Sequence, residues 1–294
     1  MSILITGHRG YIGSSLVKRL ENSNDVILFD GDVTNFKDWE TNISTDVETI
    51  YHLAAVEPSE SSFRMDWSGA DINNEWKVNC QSLLQMQEVC VSKNIFPKVI
   101  FSSSTNVFGS TNEEKIKEDT KEIVSSIWSA HKLLAENYLR VFKQKSIVLM
   151  LPNVYGPSTN MNLTDKMTMN MVIKNAIKTK EVQLYDNKNC LRDYLYIDDV
   201  LDAFELLLTL PDSCFDGGRF LLGLNEEKSI KSFCEEIVKQ IPNATIKENH
   251  KRLKSFDYRN YISDISKFNS ITNWNPKVSH EQGIRKTIGV YYEN

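Results

Sequence analysis

The chain has 294 residues, 41% hydrophobic and 25% charged, enough for one large α/β unit or for a large domain with a smaller one. A net charge of −5 with no basic stripe argues against a nucleic-acid surface, and no apolar run is long enough to span a bilayer. The five cysteines (Cys80, Cys90, Cys190, Cys214, Cys234) lack CxxC spacing and the five histidines are dispersed, which argues against a disulfide frame or a metal site.

Ser2–Thr6 reads as a strand entered without a basic segment or cleavage site, so no signal peptide is expected and the setting is read as cytoplasmic. A helix from Tyr11 to about Asn22 follows, then strands Val26–Phe29 and Thr49–Ala54. A helix near Asn74–Lys93, strand Lys98–Ser102, a helix near Ser126–Phe142 and strand Ser146–Leu151 complete the first half. This alternation, with nearly continuous apolar strands, predicts an α/β fold with a Rossmann-type, doubly wound parallel sheet. The later half is less regular. It offers helices near Met167–Lys180, Asp198–Leu210 and Ile230–Ile241, the run Leu191–Ile197 and a strand Arg219–Leu222, with polar loops over Ser158–Thr168 and Gly109–Ser125. The expected organisation is a dinucleotide-binding domain over 1–152, with 187–224 returning to it, and a smaller C-terminal substrate-binding lobe from 153–186 and 225–294.

Gly7, Gly10 and Gly13 follow the first strand and open the first helix. Glycines at this spacing allow a tight turn, the approach of backbone amides to a pyrophosphate, and close helix–strand packing. Asp30 ends the second strand, where a carboxylate accepts hydrogen bonds from an adenosine ribose, or else simply caps a turn. That carboxylate favours NAD, whereas Arg9 in the glycine turn suits a 2′-phosphate and keeps NADP possible. His52-Leu53-Ala54-Ala55 closes the next strand with small residues that let the chain pass near a cofactor, or that merely pack.

Taken together, the chain resembles the extended short-chain dehydrogenase/reductase family, in its group of nucleotide-sugar epimerases, dehydratases and reductases. The resemblance rests on Thr6-Gly7-x-x-Gly10-x-x-Gly13, His52-Leu53-Ala54-Ala55, Val78-Asn79 and Ser102-Ser103-Ser104-Thr105-Asn106-Val107-Phe108-Gly109. It extends through Pro152-Asn153-Val154-Tyr155-Gly156-Pro157, Arg192-Asp193-Tyr194 with Ile197-Asp198-Asp199-Val200, and Trp274-Asn275-Pro276, and so covers almost the whole chain. It implies that Gly7, Arg9, Gly10, Tyr11, Ile12, Gly13, Asp30, Asp32, Val33, Leu53, Ala54, Ala55, Asn79, Ser102 and Pro152 line the dinucleotide, with Lys132 on its nicotinamide ribose. Asn153 and Arg192 resemble the residues that meet a substrate diphosphate, and a second cation is sought among Arg252, Lys254 and Arg259. The competing reading for Arg192 is an ion pair with Asp193 or Asp198. A homodimer through the lysine-bearing helix and its neighbour is also implied.

The family pairs a tyrosine with a lysine four residues on, and here the tyrosine position is Trp128. The i, i+4 spacing to Lys132 is kept, and Ser126 suits a helix cap. An indole N–H donates a hydrogen bond but is far too weak an acid to shuttle a proton. His131, one position before Lys132, is read as a surface or packing residue. The resemblance therefore implies an NAD(P)H-dependent reductase of a nucleotide-linked 4-keto-6-deoxyhexose, serving surface polysaccharide synthesis. Ser104 would hold the C4 oxygen and the proton would come from Ser104, Thr105, Glu57 or water. Two alternatives stay open: a nucleotide-sugar 4-epimerase or dehydratase, and a sugar-nucleotide or NAD binder without turnover.

Overall fold

The structure, a computed structural model, describes residues 1–56, 70–109, 111, 113, 115–142, 144–164, 167–250 and 258–293. The chain divides into two compact units. The first comprises Met1–Gly109, Lys121–Met150 and Phe204–Phe220, and the second Ser110–Thr120, Leu151–Ala203 and Leu221–Asn294.

The first unit is built on a six-stranded sheet of β1 (Ser2–Thr6), β2 (Asp25–Leu28), β3 (Thr49–His52), β4 (Lys98–Ser104), β5 (Ser146–Leu151) and β9 (Asp216–Leu221), in the order β2-β1-β3-β4-β5-β9. β1 pairs in parallel with β2 and β3, and β3 with β4. Every residue of β1, β3 and β5 is buried, which is why these segments read as unbroken apolar runs instead of alternating ones. The edge strand β2 is only partly buried. Because β2 and β3 flank β1 on opposite sides, the winding reverses there, leaving a crevice at the C-terminal ends of β1 and β3.

The helices of this unit are α1 (Tyr11–Leu20), α2 (Phe36–Asn42), α3 (Ala70–Trp76) continued through a π-helical turn (Lys77–Gln81) into α4 (Ser82–Ser92), and α5 (Ile127–Val141). α2 is absent from the sequence reading. It starts at Asn35, whose side chain accepts from the Lys37 N–H, and buries little beyond Trp39, so its periodic signal is weak.

In the second unit β6 (Asn153–Tyr155) pairs in parallel with β8 (Tyr194–Tyr196), and β7 (Glu181–Tyr185) with β10 (Thr245–Asn249). α6 (Met161–Thr164), α7 (Thr168–Thr179), α8 (Ile197–Leu207), α9 (Ile230–Gln240), α10 (Ser266–Thr272) and α11 (His280–Glu293) are its principal helices. Its core is aromatic: the Phe233 ring lies 4.7 Å from Tyr194, 4.9 Å from His280 and 5.2 Å from Tyr155. Only Tyr194–Tyr196 of the predicted run Leu191–Ile197 is a strand, because Leu191 and Arg192 form isolated bridges to Ser229 and Tyr261. Among the described residues no helix is long and apolar enough to cross a membrane.

Candidate active site

The glycine turn sits in the crevice beside β1. Gly7 has φ +68°, and a Cβ there would stand 2.6 Å from the Ala54 nitrogen, against the backbone leaving β3. A Cβ on Gly13 would meet the Gly7 carbonyl oxygen at 2.1 Å. α1 begins at Gly10 with no side-chain cap and no acid in its first turn, so the positive end of the helix dipole is not offset locally. A turn that excludes side chains and opens an uncapped helix fits the pyrophosphate of a dinucleotide. Tyr11 is buried and Ile12 half-buried behind it.

Asp30 lies beyond β2 and is exposed, with the Arg9 guanidinium 3.5 Å from its carboxylate. Asp32 is occupied locally: its Oδ1 accepts from the Thr34 N–H at 2.8 Å, and its own N–H donates to Asp38. Val33 accepts the Trp39 indole N–H at 2.8 Å.

A buried polar chain fixes the end of β3. Ser82 Oγ donates to the Val78 carbonyl at 2.6 Å, which spends its one proton, so His52 Nε2 must donate to Ser82 at 3.1 Å. His52 Nδ1 then accepts from Thr6 Oγ1 at 3.1 Å, and Thr6 Oγ1 accepts the N–H groups of Leu53 and Ala54. Burial, and secondarily the charge of Lys132, push the His52 pKa down to about 3. His52 is therefore a neutral structural group. Ala55 is exposed at the end of this segment.

Val56 is gripped from two helices. Asn79, buried in the π-helical turn, accepts the Val56 N–H at 2.9 Å and donates to its carbonyl at 3.0 Å. Trp128 Nε1 donates to the same carbonyl at 2.8 Å. The Trp128 indole N–H is thus committed to the backbone. α5, which carries it, is started by a reciprocal cap in which Ser126 Oγ accepts the Ser129 N–H and Ser129 Oγ accepts the Ser126 N–H, a motif worth about 1 kcal/mol.

Lys132 follows one helical turn later, almost fully buried. Its Nζ donates to the Ser102 carbonyl at 3.0 Å and lies 4.9 Å from the centre of the Phe101 ring and 5.8 Å from that of Trp128. Ser104 projects from the same face of β4 as Ser102, two residues on. Its Oγ accepts the Asn106 N–H at 3.2 Å. Thr105 is buried in that turn. Of the two roles read for His131, packing is the one seen: its Nδ1 lies 3.1 Å from the buried carboxylate of Glu75. Glu57 lies outside the described residues.

The second unit carries a separate cationic constellation. Arg192 is buried and donates from Nη1 to the carbonyls of Leu191 and Arg259. Its guanidinium is 5.4 Å from the centre of the Tyr261 ring, and that of Arg259 is 4.4 Å from the same ring. The two carboxylates read as ion-pair partners of Arg192 are engaged elsewhere: Asp193 accepts from the N–H groups of Leu224 and Ser263, and Asp198 pairs with Lys286. Arg252 and Lys254 lie outside the described residues, and Arg259 is the one beside Arg192. Asn153 is exposed, its amide donating to the Asp193 carbonyl at 3.4 Å, and Pro152 is half-buried before it. Two guanidiniums on one aromatic ring place side by side two positive charges that cannot be lost.

The sequence model of the NAD dependent epimerase/dehydratase family matches residues 3–223. The chain belongs to this family. Among solved structures, UDP-glucose 4-epimerase of Thermotoga maritima superposes with a TM-score of 0.85 at 24% identity, over 100% of this chain and 99% of that one. The Pseudomonas aeruginosa protein RMD, complexed with NADPH, gives a TM-score of 0.85 at 18% identity, over 99% of both chains. A trifunctional Arabidopsis thaliana protein, a UDP-glucose 4,6-dehydratase, UDP-4-keto-6-deoxy-D-glucose 3,5-epimerase and UDP-4-keto-L-rhamnose reductase, is 25% identical over 100% of this chain and 47% of its own length. Against that family, what sequence reading missed is the partner of Trp128 and the pairing of His131 with Glu75. Neither Val56 nor Glu75 carries a motif that could have announced it.

Proposed function

We propose that this chain is an NAD(P)H-dependent reductase of a nucleotide-linked 4-keto-6-deoxyhexose, acting in the cytoplasm on sugars destined for surface polysaccharide. The observation that carries this reading is Lys132, fastened to the strand that ends at Ser104 and 5.8 Å from the ring of a Trp128 whose N–H is already spent on Val56. Reducing a ketone requires only that a proton be delivered to the carbonyl oxygen. Epimerisation and dehydration must also remove protons, and Thr105, Asn106 and Val107 after Ser104 offer no ionisable side chain for that. The trifunctional Arabidopsis relative, of which this chain spans 47%, has a 4-keto-sugar reductase among its three activities.

The glycine turn and the start of α1 would hold the pyrophosphate, and Lys132 would face the nicotinamide ribose. The dinucleotide, when bound, supplies the hydride. Ser104 would hydrogen-bond the C4 oxygen and pass it a proton in concert with one taken from solvent water, which leaves hydroxide to the solvent and the serine hydroxyl unchanged. Arg192 and Arg259 would take the substrate diphosphate. The Arg9–Asp30 pair is exposed on both sides and worth under about 1 kcal/mol, so it opens readily. Asp30 can then accept ribose hydroxyls, and Arg9 can meet a 2′-phosphate, which makes both NADH and NADPH acceptable.

The test follows cofactor absorbance with NADH and NADPH against a panel of nucleotide-linked 4-keto-6-deoxy sugars. Wild type should turn over, and Ser104→Ala should lower kcat by about a hundredfold or more. Turnover in Trp128→Tyr alone would overturn the Ser104 route, and silence from both, with cofactor bound, would leave a binding protein.

We also propose a homodimer formed on α4 and α5. Val91, Phe96, Leu134, Val141 and Phe142 are exposed apolar side chains on and beside these helices, the most exposed being Val141 at 74%. A second copy of the same face is the occupant proposed. Sedimentation should report a dimer for wild type and a monomer for Val141→Asp, and a monomeric wild type would sink the idea.

A further inference from the structure

We propose that Arg219 is a positioning residue that holds the Ser104 turn and the Lys132 helix in one register. Its kinetic consequence rests on the reductase reading, but its structural one does not. α5 is fastened to β4 at two successive turns, since Lys132 donates to the Ser102 carbonyl and Glu136, one turn on, accepts from Ser103 Oγ. Glu136 is fully buried in the first unit, and that burial pushes its pKa up while Arg219 pulls it down. A carboxylate there needs a cation that cannot give up its proton.

Arg219, on β9, supplies that cation and reaches further. Its Nε donates to Glu136 Oε2 at 2.6 Å and its Nη1 pairs with Glu122 Oε1 at 2.6 Å. The guanidinium also lies 5.6 Å from the centre of the Phe108 ring. Phe108 belongs to the turn that follows Ser104, and Glu122 lies four residues before Ser126, the cap of α5. These two stretches already touch: Gly109 has φ +54°, and the Ile123 carbonyl oxygen lies 1.4 Å from where a Cβ would be. A single planar fork therefore contacts both the serine turn and the approach to the lysine helix. An ammonium cannot reproduce two fixed donor directions together with a flat face for the ring.

The test is amide hydrogen exchange, read by mass spectrometry on the full chain, for wild type, Arg219→Lys and Glu122→Gln. Arg219→Lys should lose about tenfold protection over 102–109 and 126–132, while 2–6 and 49–52 stay within about twofold. Glu122→Gln, which keeps the Glu136 pair, should loosen 121–132 and leave 102–104 unchanged. With a 4-keto sugar, Arg219→Lys should lower kcat about tenfold with KM within about twofold. Uniform loss of protection across the sheet, or loss confined to β9, would reduce Arg219 to a stabilising ion pair and overturn the proposal. Should Arg219→Lys fail to fold, unchanged exchange over 121–132 in Glu122→Gln overturns it equally. Exchange is read without substrate, so an inactive wild type would remove the reductase reading and leave this test standing.

Discussion

Gly13→Ala is expected to weaken dinucleotide binding by about a hundredfold or more, roughly 3 kcal/mol. The added methyl would lie 2.1 Å from the Gly7 carbonyl oxygen and 2.8 Å from its carbon, both backbone atoms that no rotamer change can move. Relief requires α1 to shift away from the turn, which takes its N-terminus off the position where it faces an anion. Gly289→Ala is the control. It lies in α11 with nothing within 4 Å of the new methyl, so helix propensity alone should act, stabilising by about 1 kcal/mol or less. Titration calorimetry with NADH and NADPH reads the first effect and thermal unfolding the second. Equal affinity in Gly13→Ala and wild type would mean that the turn is not where the dinucleotide binds.

Acid should weaken the first unit through His52. Its folded pKa of about 3 lies below the ordinary 6.5, so the unfolded chain takes up a proton that the folded chain refuses. Stability is full above pH 6.5 and falls as pH drops from there toward 3, by about 1.4 kcal/mol per pH unit, or about 2 kcal/mol at pH 5. His280 in the second unit, pushed down to about 4 by burial, behaves likewise. There, however, Asp193, raised to about 6 by burial, takes up a proton in the folded state and offsets about 1.4 kcal/mol by pH 5. Denaturant titrations at pH 7.5 and pH 5 should show His52→Gln, which can still donate to Ser82 and accept from Thr6, losing about 2 kcal/mol less than wild type. Identical losses would show that His52 is protonated in the fold.

The first half of the fold was legible because three of its strands, β1, β3 and β5, are buried along their whole length and read as unbroken apolar runs. Ser2–Thr6 is bounded identically in sequence and structure, since Gly7 must end it with a positive φ. The later half was less legible for the converse reason. Thr245–Asn249 has Ile246 as its one apolar side chain, and it is a strand because it lines up along β7, a partner more than sixty residues earlier. The site divides along the same line. Spacing pointed to the glycines, and family resemblance to Ser104, Lys132 and Arg192. That resemblance set Trp128 where a tyrosine was expected, but did not show that Trp128 reaches Val56, 72 residues away. Arg219 read only as the first residue of a strand, because its two carboxylates come from the approach to α5 and from its third turn.

The Trp128 contact also gives the protein a built-in optical probe. An indole held by one hydrogen bond, with an ammonium 5.8 Å away, has a fixed and unusual electrostatic surrounding, so its emission is sensitive to any charge that arrives nearby. Its emission also overlaps the absorption of a reduced nicotinamide, so bound NADH or NADPH would quench it by energy transfer. Occupancy can therefore be followed in the resting protein, with no product formed, and Trp128→Phe identifies how much of the signal belongs to this residue. The substitution that removes a familiar acid thus leaves a means of counting bound cofactor independently of turnover.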